Sequence, residues 1–271
     1  MISLLLAALL QAAVEPTSEL IRQVERAPRG RHLVVVDPGH GGVDRGMKLA
    51  VRSGSMLYEA DVALAVSRKV RDSLRARGVD VLMTRDRDTL IALDDRGRIA
   101  NRANASLFLS IHVNAANPRW RSPSGARGFE TYFLADAKTE DERRVAEIEN
   151  EVTRFEVGVE AKPGDPLAFV ISDMLQNQFL RESSELAAVV QEQLSAIHPG
   201  EDRGVKQAGF RVLVTAHMPA VLIELGFGTN PAEARYLTSA RGQGELAGAI
   251  ARATVRYLAQ LDRRRTAGGG R

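Results

Sequence analysis

Residues 31–46 read RHLVVVDPGHGGVDRG, and this stretch decides the fold that we expect. Leu33 to Val36 is a short, largely β-branched apolar run, which predicts a strand buried on both faces. Proline and glycine end the strand after Asp37 and let the backbone turn tightly. Asp37 and His40 therefore follow the carboxyl end of a buried strand, where open α/β sheets bind their ligands. His40 is a candidate metal ligand; a surface histidine in an ordinary turn is the alternative.

The composition is typical of a soluble globular protein. The chain has 271 residues, of which 44% are hydrophobic and 26% charged, enough for one well-buried domain with an insertion or a tail. The net charge of +3 suits an anionic polymer as partner. We do not expect nucleic acid, because no basic motif with interleaved aromatic residues is present. The chain contains no cysteine, so a bound metal would need histidine and carboxylate ligands.

The N-terminal residues 1–14, MISLLLAALLQAAV, are apolar but too short to span a bilayer comfortably. They have the apolar run and the small-residue end of a secretory signal, although they lack its positively charged start. We expect a signal peptide rather than a buried N-terminal helix, because the polar EPTSE follows directly. Residues 15–30 are expected to form a linker, and no other transmembrane span is expected.

Strands and helices alternate along the chain. Residues 61–77 carry Val62, Val66, Val70 and Leu74 at four-residue spacing, which predicts an amphipathic helix between the first strand and a second at 79–84. This β-α-β order favours a parallel sheet. Further helices are predicted at 94–105, 139–154, 165–181, 183–197, 230 onwards and 244–261. Further strands are predicted at 106–112, 128–134 (edge or half-buried), 209–214 and 220–224, and residues 263–271 are predicted to form a disordered basic tail.

Three predicted strand ends carry candidate metal-site residues: His40, His112 and Glu224. Glu59 lies just before the first helix. Two imidazoles and one carboxylate form a known set of ligands for catalytic Zn²⁺, and a second carboxylate could act as general base. Glu59 could instead be an acid favoured by the helix dipole, and His112 a hydrogen-bonded core histidine. Glu224 is harder to explain otherwise, because a charge in the apolar run VLIELGFG needs a partner.

The chain resembles the zinc-dependent N-acetylmuramoyl-L-alanine amidases of the Amidase_3 type over residues 33–261. The motifs that carry the resemblance occur in the family's order: DPGHGG, YEADVAL, TRDRD, RIANRANASLFLSIHVNA, GFETYFL and PAVLIELGFGTNPAEARYL. The resemblance implies a single α/β domain over residues 31–262, with a mostly parallel central sheet flanked by helices and a zinc site at the carboxyl ends of the strands. It also implies hydrolysis of the amide between N-acetylmuramic acid and L-alanine in peptidoglycan, by an exported protein of the periplasm or cell envelope.

By motif position, the resemblance assigns zinc to His40, Glu59 and His112 and the catalytic role to Glu224. Asp37 is expected either to hydrogen-bond a ligand histidine or to cap the turn. Asn114 is expected either to face the substrate or to be a turn residue. We expect a monomer. A catalytically silent wall-binding protein and a zinc peptidase or deacetylase are the alternative functions, since fold does not fix chemistry.

Residues 139–182 resemble the helical insertion of cell-division amidases. In such relatives this region can carry a helix that blocks the zinc site until an activator protein moves it. The charged sequence TEDERRVAEIENEV is equally typical of a solvated surface helix. An inhibitory helix and a solvated surface helix are therefore both compatible with the sequence of this insertion.

Overall fold

The computed structural model describes residues 32–50, 57–155 and 166–268. The predicted signal peptide and linker at residues 1–30 lie outside the described residues. No helix among those described is both long enough and apolar enough to cross a membrane.

The strands of the described chain form one six-stranded sheet in the order β2-β1-β3-β6-β4-β5. All neighbouring pairs are parallel except β4 and β6. The expected α/β fold with a mostly parallel sheet is confirmed. The strands are β1 (Leu33–Pro38), β2 (Asp80–Met83), β3 (Leu107–Asn114), β4 (Phe129–Leu134), β5 (Asp202–Ala208) and β6 (Ala220–Phe227).

Helices cover both faces of the sheet. They are α1 (Glu59–Arg75), α2 (Leu93–Arg102), α3 (Glu140–Asn150), α4 (Pro166–Ser195), α5 (Arg211–Val214), α6 (Pro231–Thr238) and α7 (Ala240–Gly268). One core cluster joins the sheet to α1, α4, α6 and α7, and the other joins it to α2, α3 and α5. Successive valines of β1 show this division: Val34 and Val36 belong to the first cluster and Val35 to the second.

Helix α1 shows how the sequence pattern becomes structure. Its predicted apolar stripe, Val62, Val66, Val70 and Leu74, is buried against the sheet. Each such side chain contributes roughly 1.5–3 kcal/mol of burial free energy. The stripe fixes the rotation of α1, and so turns its first residue, Glu59, towards the carboxyl ends of β1 and β3.

Two of the predicted strands are wrong in type or position. Residues 211–214 form the short helix α5 rather than a strand, because a short apolar run such as RVLV does not distinguish the two. Residues 129–134 form the interior strand β4, buried at five of six positions, rather than an edge. The edge strand next to β4 is β5, which was not predicted because its polar sequence DRGVKQA carries no alternating apolar pattern.

Two helix boundaries also differ from the prediction. The helices predicted at 165–181 and 183–197 are one helix, α4, because the Ser183 hydroxyl accepts a bond from the Ala220 amide instead of capping a new helix. The predicted disordered tail is helical as far as Gly268. Arg264 pairs there with Glu185 at 2.5 Å, which joins the end of α7 to α4. Residues 269–271 lie outside the described chain.

Candidate metal centre

Four buried side chains meet at the carboxyl ends of β1 and β3. His40, Glu59, His112 and Glu149 each offer one potential ligand atom, and these atoms lie within 4.8 Å of one another. His40 follows β1, Glu59 begins α1, and His112 lies near the end of β3. The structure thus brings the three predicted ligands together. Glu149 of α3 joins them and was not predicted from the sequence.

The turn after β1 aims the His40 ring at the cluster. His40 has a left-handed backbone with φ of 57°, a conformation that costs a non-glycine residue about 1–2 kcal/mol. A Cβ atom on Gly39 would lie 2.5 Å from Cε1 of His112, so only glycine allows the two segments to approach. His40 Nδ1 lies 2.7 Å from Asp44 Oδ2. A proton shared with Asp44 leaves Nε2 free for a metal, the arrangement common for metal-binding histidines.

Glu59 connects the turn, the helix and β3. Its Oε2 accepts a bond from the Met47 amide at 3.2 Å, and its Oε1 accepts one from the Val113 amide at 2.9 Å. The same Oε1 lies 3.0 Å from His40 Nε2 and 3.1 Å from His112 Nδ1. Glu59 is therefore both a first-turn acid of α1 and a member of the cluster.

Glu149 closes the cluster from the α3 side. Its Oε2 lies 2.8 Å from His112 Nδ1 and 3.2 Å from His40 Nε2. Although these distances are short, His40 Nε2 and Glu149 Oε2 form no properly aligned hydrogen bond in the described chain. Atoms that converge without pairing are expected around a cation. Nitrogen and carboxylate donors in this number fit a divalent metal such as Zn²⁺.

The electrostatics of the cluster favour added positive charge. Burial alone would lower the pKa of both imidazoles, but the neighbouring carboxylates outweigh it. Glu59 and Glu149, with Asp44, raise the pKa of His40 well above its ordinary value, and Glu149 and Glu59 raise that of His112 to about 10. The two carboxylates thus favour positive charge at this position, which a divalent cation would supply.

Glu224 lies beside the cluster on β6. Its Cα is opposite that of His112 on β3 and that of Glu130 on β4. The side chain is fully buried, and neither carboxylate oxygen has a hydrogen-bond partner among the described residues. Burial, together with the negative charge of Glu149, raises the pKa of Glu224 well above its ordinary value. A buried carboxyl group with a raised pKa is a candidate general acid or base.

The structure corrects the expected roles of Asp37 and Asn114. The Asp37 carboxylate accepts bonds from Thr84 at 2.5 Å, Ser110 at 2.7 Å and Arg96 at 3.0 Å, rather than from a ligand histidine. Asn114 is neither a turn residue nor open to a substrate. It is the buried last residue of β3, and its side-chain amide donates to Glu130 at 3.2 Å.

An open cavity of about 530 Å³ lies near the end of β6. Its lining includes Trp120, Arg127 and Arg203. The Trp120 ring is 6.3 Å from that of Phe227, the last residue of β6, and the Arg144 and Arg203 guanidinium groups lie 5.6 and 5.9 Å from its centroid. The cavity thus combines an aromatic ring with cationic side chains, and Trp120 connects it to Phe227, three residues after Glu224 on β6.

Comparison with known proteins identifies relatives over most of the chain. Residues 34–256 match the family model described as N-acetylmuramoyl-L-alanine amidase. The chain is 35% identical over 237 residues to N-acetylmuramoyl-L-alanine amidase AmiA of Escherichia coli, covering 86% of this chain and 78% of the relative. It is 32% identical to N-acetylmuramoyl-L-alanine amidase AmiC of Neisseria meningitidis, covering 90% of this chain and 58% of the relative.

Solved structures agree with these sequence matches. The fold is similar to that of an N-acetylmuramoyl-L-alanine amidase from Clostridium difficile 630, with a TM-score of 0.62 and 29% identity, covering 85% of this chain and 98% of the other. It is also similar to amidase AmiC2 of Nostoc punctiforme, with a TM-score of 0.61 and 30% identity, covering 84% and 98%.

Proposed function

The chain belongs to the N-acetylmuramoyl-L-alanine amidase family, and from this we propose how it acts on peptidoglycan. The reaction is hydrolysis of the amide between the lactyl group of N-acetylmuramic acid and L-alanine, which serves cell-wall remodelling or daughter-cell separation. One observation carries the proposal. The buried ligand set of His40, Glu59 and His112 lies beside Glu224, a buried carboxyl group with no partner.

We infer that His40, Glu59 and His112 hold a zinc ion. Two imidazoles and a carboxylate leave one position of a tetrahedral site for water, as catalytic zinc sites require. When bound, zinc supplies a Lewis acid that polarises the amide carbonyl and lowers the pKa of its water to about 7. Asp44 orients the His40 ring, and the Met47 and Val113 amides orient the Glu59 carboxylate.

Glu224 is the proposed general base and, later, the general acid. Its carboxylate removes a proton from water as the water oxygen bonds to the carbonyl carbon. It then delivers that proton to the alanine nitrogen as the carbon–nitrogen bond breaks, which leaves a lactyl carboxylic acid and a free amine. The absence of competing hydrogen bonds in the described chain keeps both Glu224 oxygens free for these transfers.

We further propose that α3 blocks the site and that an activator protein displaces it. Glu149 lies 2.8 and 3.2 Å from the two candidate histidine ligands. A fourth protein ligand this close, here a second carboxylate, would compete with water for the position that the other three ligands leave open. Among the described residues, Glu149 is the one residue of α3 that forms an ion pair with the proposed ligands. Moving α3 would therefore remove this carboxylate and leave the three proposed ligands in place.

The cavity at Trp120 is the proposed entrance for the peptidoglycan strand. An aromatic ring provides a flat apolar surface for a sugar ring or a peptide side chain. Arg127 lines the same cavity and can pair with a carboxylate of the stem peptide. This substrate would place the working enzyme in the periplasm or cell envelope.

The products of peptidoglycan digestion test the proposed reaction. An amidase releases stem peptides with a free L-alanine amino group, which mass analysis identifies. Cleavage within the stem, or loss of acetate, would indicate a peptidase or a deacetylase. Binding without any cleavage, even after removal of Glu149, would indicate a catalytically silent wall-binding protein.

A further inference from the structure

Two buried arginines lie beneath the turn that carries His40. Arg85, from the TRDRD segment, is 2% exposed, and Arg96 of α2 is 1% exposed. Between them they donate to three successive carbonyl oxygens of the turn, those of Pro38, Gly39 and His40. The guanidinium groups thus give hydrogen-bond partners to all three of these carbonyls. Neither arginine has a role in the proposed chemistry.

The Arg85 contacts extend beyond the turn. Its Nη2 donates both to the Gly39 carbonyl, at 2.6 Å, and to the Ala60 carbonyl, at 3.1 Å. Gly39 directly precedes His40, and Ala60 directly follows Glu59. One nitrogen atom therefore joins the two segments that carry these candidate ligands. Its Nε donates to the Pro38 carbonyl at 3.0 Å, which fixes the orientation of the guanidinium plane.

Arg96 donates hydrogen bonds to the same turn. Its Nη2 donates to the His40 carbonyl at 3.0 Å, and its Nη1 donates to Pro38 O at 2.8 Å and to the Asp37 carboxylate at 3.0 Å. His40 keeps its left-handed backbone, with φ of 57°, while its carbonyl is bonded in this way. Asp37 in turn balances the charge of Arg96 inside the protein.

Two cationic side chains, Arg85 and Arg96, are buried beneath the turn although burying a charge is costly. Their burial indicates that the turn requires the directed hydrogen bonds of the guanidinium group. Burial and the nearby charge of Arg96 lower the pKa of Arg85 to about 10, so Arg85 remains a cation at neutral pH. A buried charge is costly unless it is paired and fully hydrogen-bonded. The planar arginine fork reaches several carbonyls in fixed directions, whereas a lysine ammonium on a flexible stem does not.

We propose that Arg85 is a positioning residue that sets the spacing between His40 and Glu59, with Arg96 holding the His40 backbone in its left-handed conformation. The metal affinity of the site depends on this spacing. The inference rests on the proposed function, since it takes these residues as ligands, and it assigns the two arginines no contact with substrate.

The test compares Arg85→Lys with Arg75→Lys in the full chain. Arg75 is the control, because it also donates to a backbone carbonyl, that of Val81 at 2.9 Å, but it is exposed and lies at the opposite end of α1 from Glu59. Zinc affinity is measured by competition with a chromophoric chelator. The visible spectrum of the cobalt-substituted protein reports the ligand geometry, and urea unfolding verifies that each variant is folded.

We expect Arg85→Lys to bind zinc about 10–100-fold more weakly, the usual effect of losing a group that orients metal ligands. Its cobalt spectrum should change, while Arg75→Lys keeps the affinity and spectrum of the wild type. A folded Arg85→Lys protein with unchanged affinity and spectrum would overturn the inference. If Arg85→Lys does not fold, Arg96→Lys takes its place with the same expectations. A wild-type chain that binds no zinc would overturn the metal site itself, and the positioning role with it.

Discussion

The Glu149 carboxylate of α3 lies 2.8 Å from Nδ1 of His112 on β3. Helix α3 packs on the sheet face that carries α2 and α5, whereas α1, which carries Glu59, packs on the opposite face. The cluster therefore draws its carboxylates from both layers of the fold. Three of the four groups thus come from α1 and from the ends of β1 and β3, whereas the fourth, Glu149, comes from α3 and would leave the site if α3 moved.

Replacing Glu149 with alanine should raise the rate of peptidoglycan hydrolysis several-fold. The change removes the carboxylate that competes with water, and it leaves His40, Glu59 and His112 in place. The rate is measured by dye release from labelled peptidoglycan, with the zinc content determined in parallel. Glu147→Ala, an exposed change in the same helix, is the control. A Glu149→Ala protein that loses both zinc and activity would show that Glu149 is a ligand of the working site.

Replacing Glu224 with glutamine should reduce turnover by about 10²–10⁴-fold, the usual contribution of a general base. Glutamine keeps the size of the side chain but cannot take up a proton. Zinc content should remain unchanged, because Glu224 is not one of the proposed ligands. The exposed change Glu192→Gln serves as control. Full activity in Glu224→Gln would remove Glu224 from the mechanism.

Replacing Trp120 with alanine should raise KM for peptidoglycan about fivefold with little change in kcat. The loss of one stacking surface costs about 1 kcal/mol, and the ring lies outside the ligand cluster. Trp120→Phe, which retains an aromatic face, should restore most of the lost affinity. A fall in kcat with KM unchanged would contradict a role in substrate binding.

Replacing Glu130 with glutamine should make the free energy of unfolding depend less strongly on pH below neutrality. Burial raises the pKa of this carboxyl group, but Lys206, Tyr132 and Arg203 outweigh burial and lower it below its ordinary value of 4.5. A lowered pKa gives stability that is present above 4.5 and is lost as the pH falls through the folded-state value.

Urea unfolding between pH 3 and pH 7 measures this effect of Glu130. Near pH 7 we expect Glu130→Gln to be less stable than the wild type by about 2 kcal/mol, the scale of a hydrogen bond to a charged group. The difference should shrink in acid. Glu147→Gln, an exposed change, should follow the wild-type curve. A Glu130→Gln deficit that stays constant with pH would contradict the charged network.

The sequence predicted the residues that occur at strand ends. His40 follows the buried strand β1, and His112 and Glu224 lie opposite each other in the second halves of β3 and β6, so the parallel strands bring all three towards their carboxyl ends. Asp44 was missed, because a carboxylate four residues after His40 in a glycine-rich turn has no fixed direction until the turn is folded. Arg85 was missed because its partners are backbone carbonyls, which leave no trace in side-chain patterns.

Glu149 was missed for a different reason. Helix α3 carries many acidic residues, and composition alone does not indicate which of them points inward. Its buried face, however, includes Val145, Ala146 and Glu149, which recur at helical spacing. The position of Glu149 on the apolar side of an otherwise solvated helix is the sequence feature that could have indicated its buried role. The edge strand β5 was missed because it is polar and half-exposed, so it lacks the periodicity that reveals interior strands.

The most direct test of the account is metal-dependent hydrolysis by the wild-type and Glu149→Ala chains, each beside its His40→Ala counterpart. Each protein is stripped with a chelator, dialysed and titrated with zinc, while bound zinc and released stem peptides are measured. We expect one zinc per chain, no release of stem peptides from stripped protein, and release that returns with zinc unless His40 is replaced. Release by stripped protein, or tight binding of one zinc by His40→Ala, would contradict this expectation.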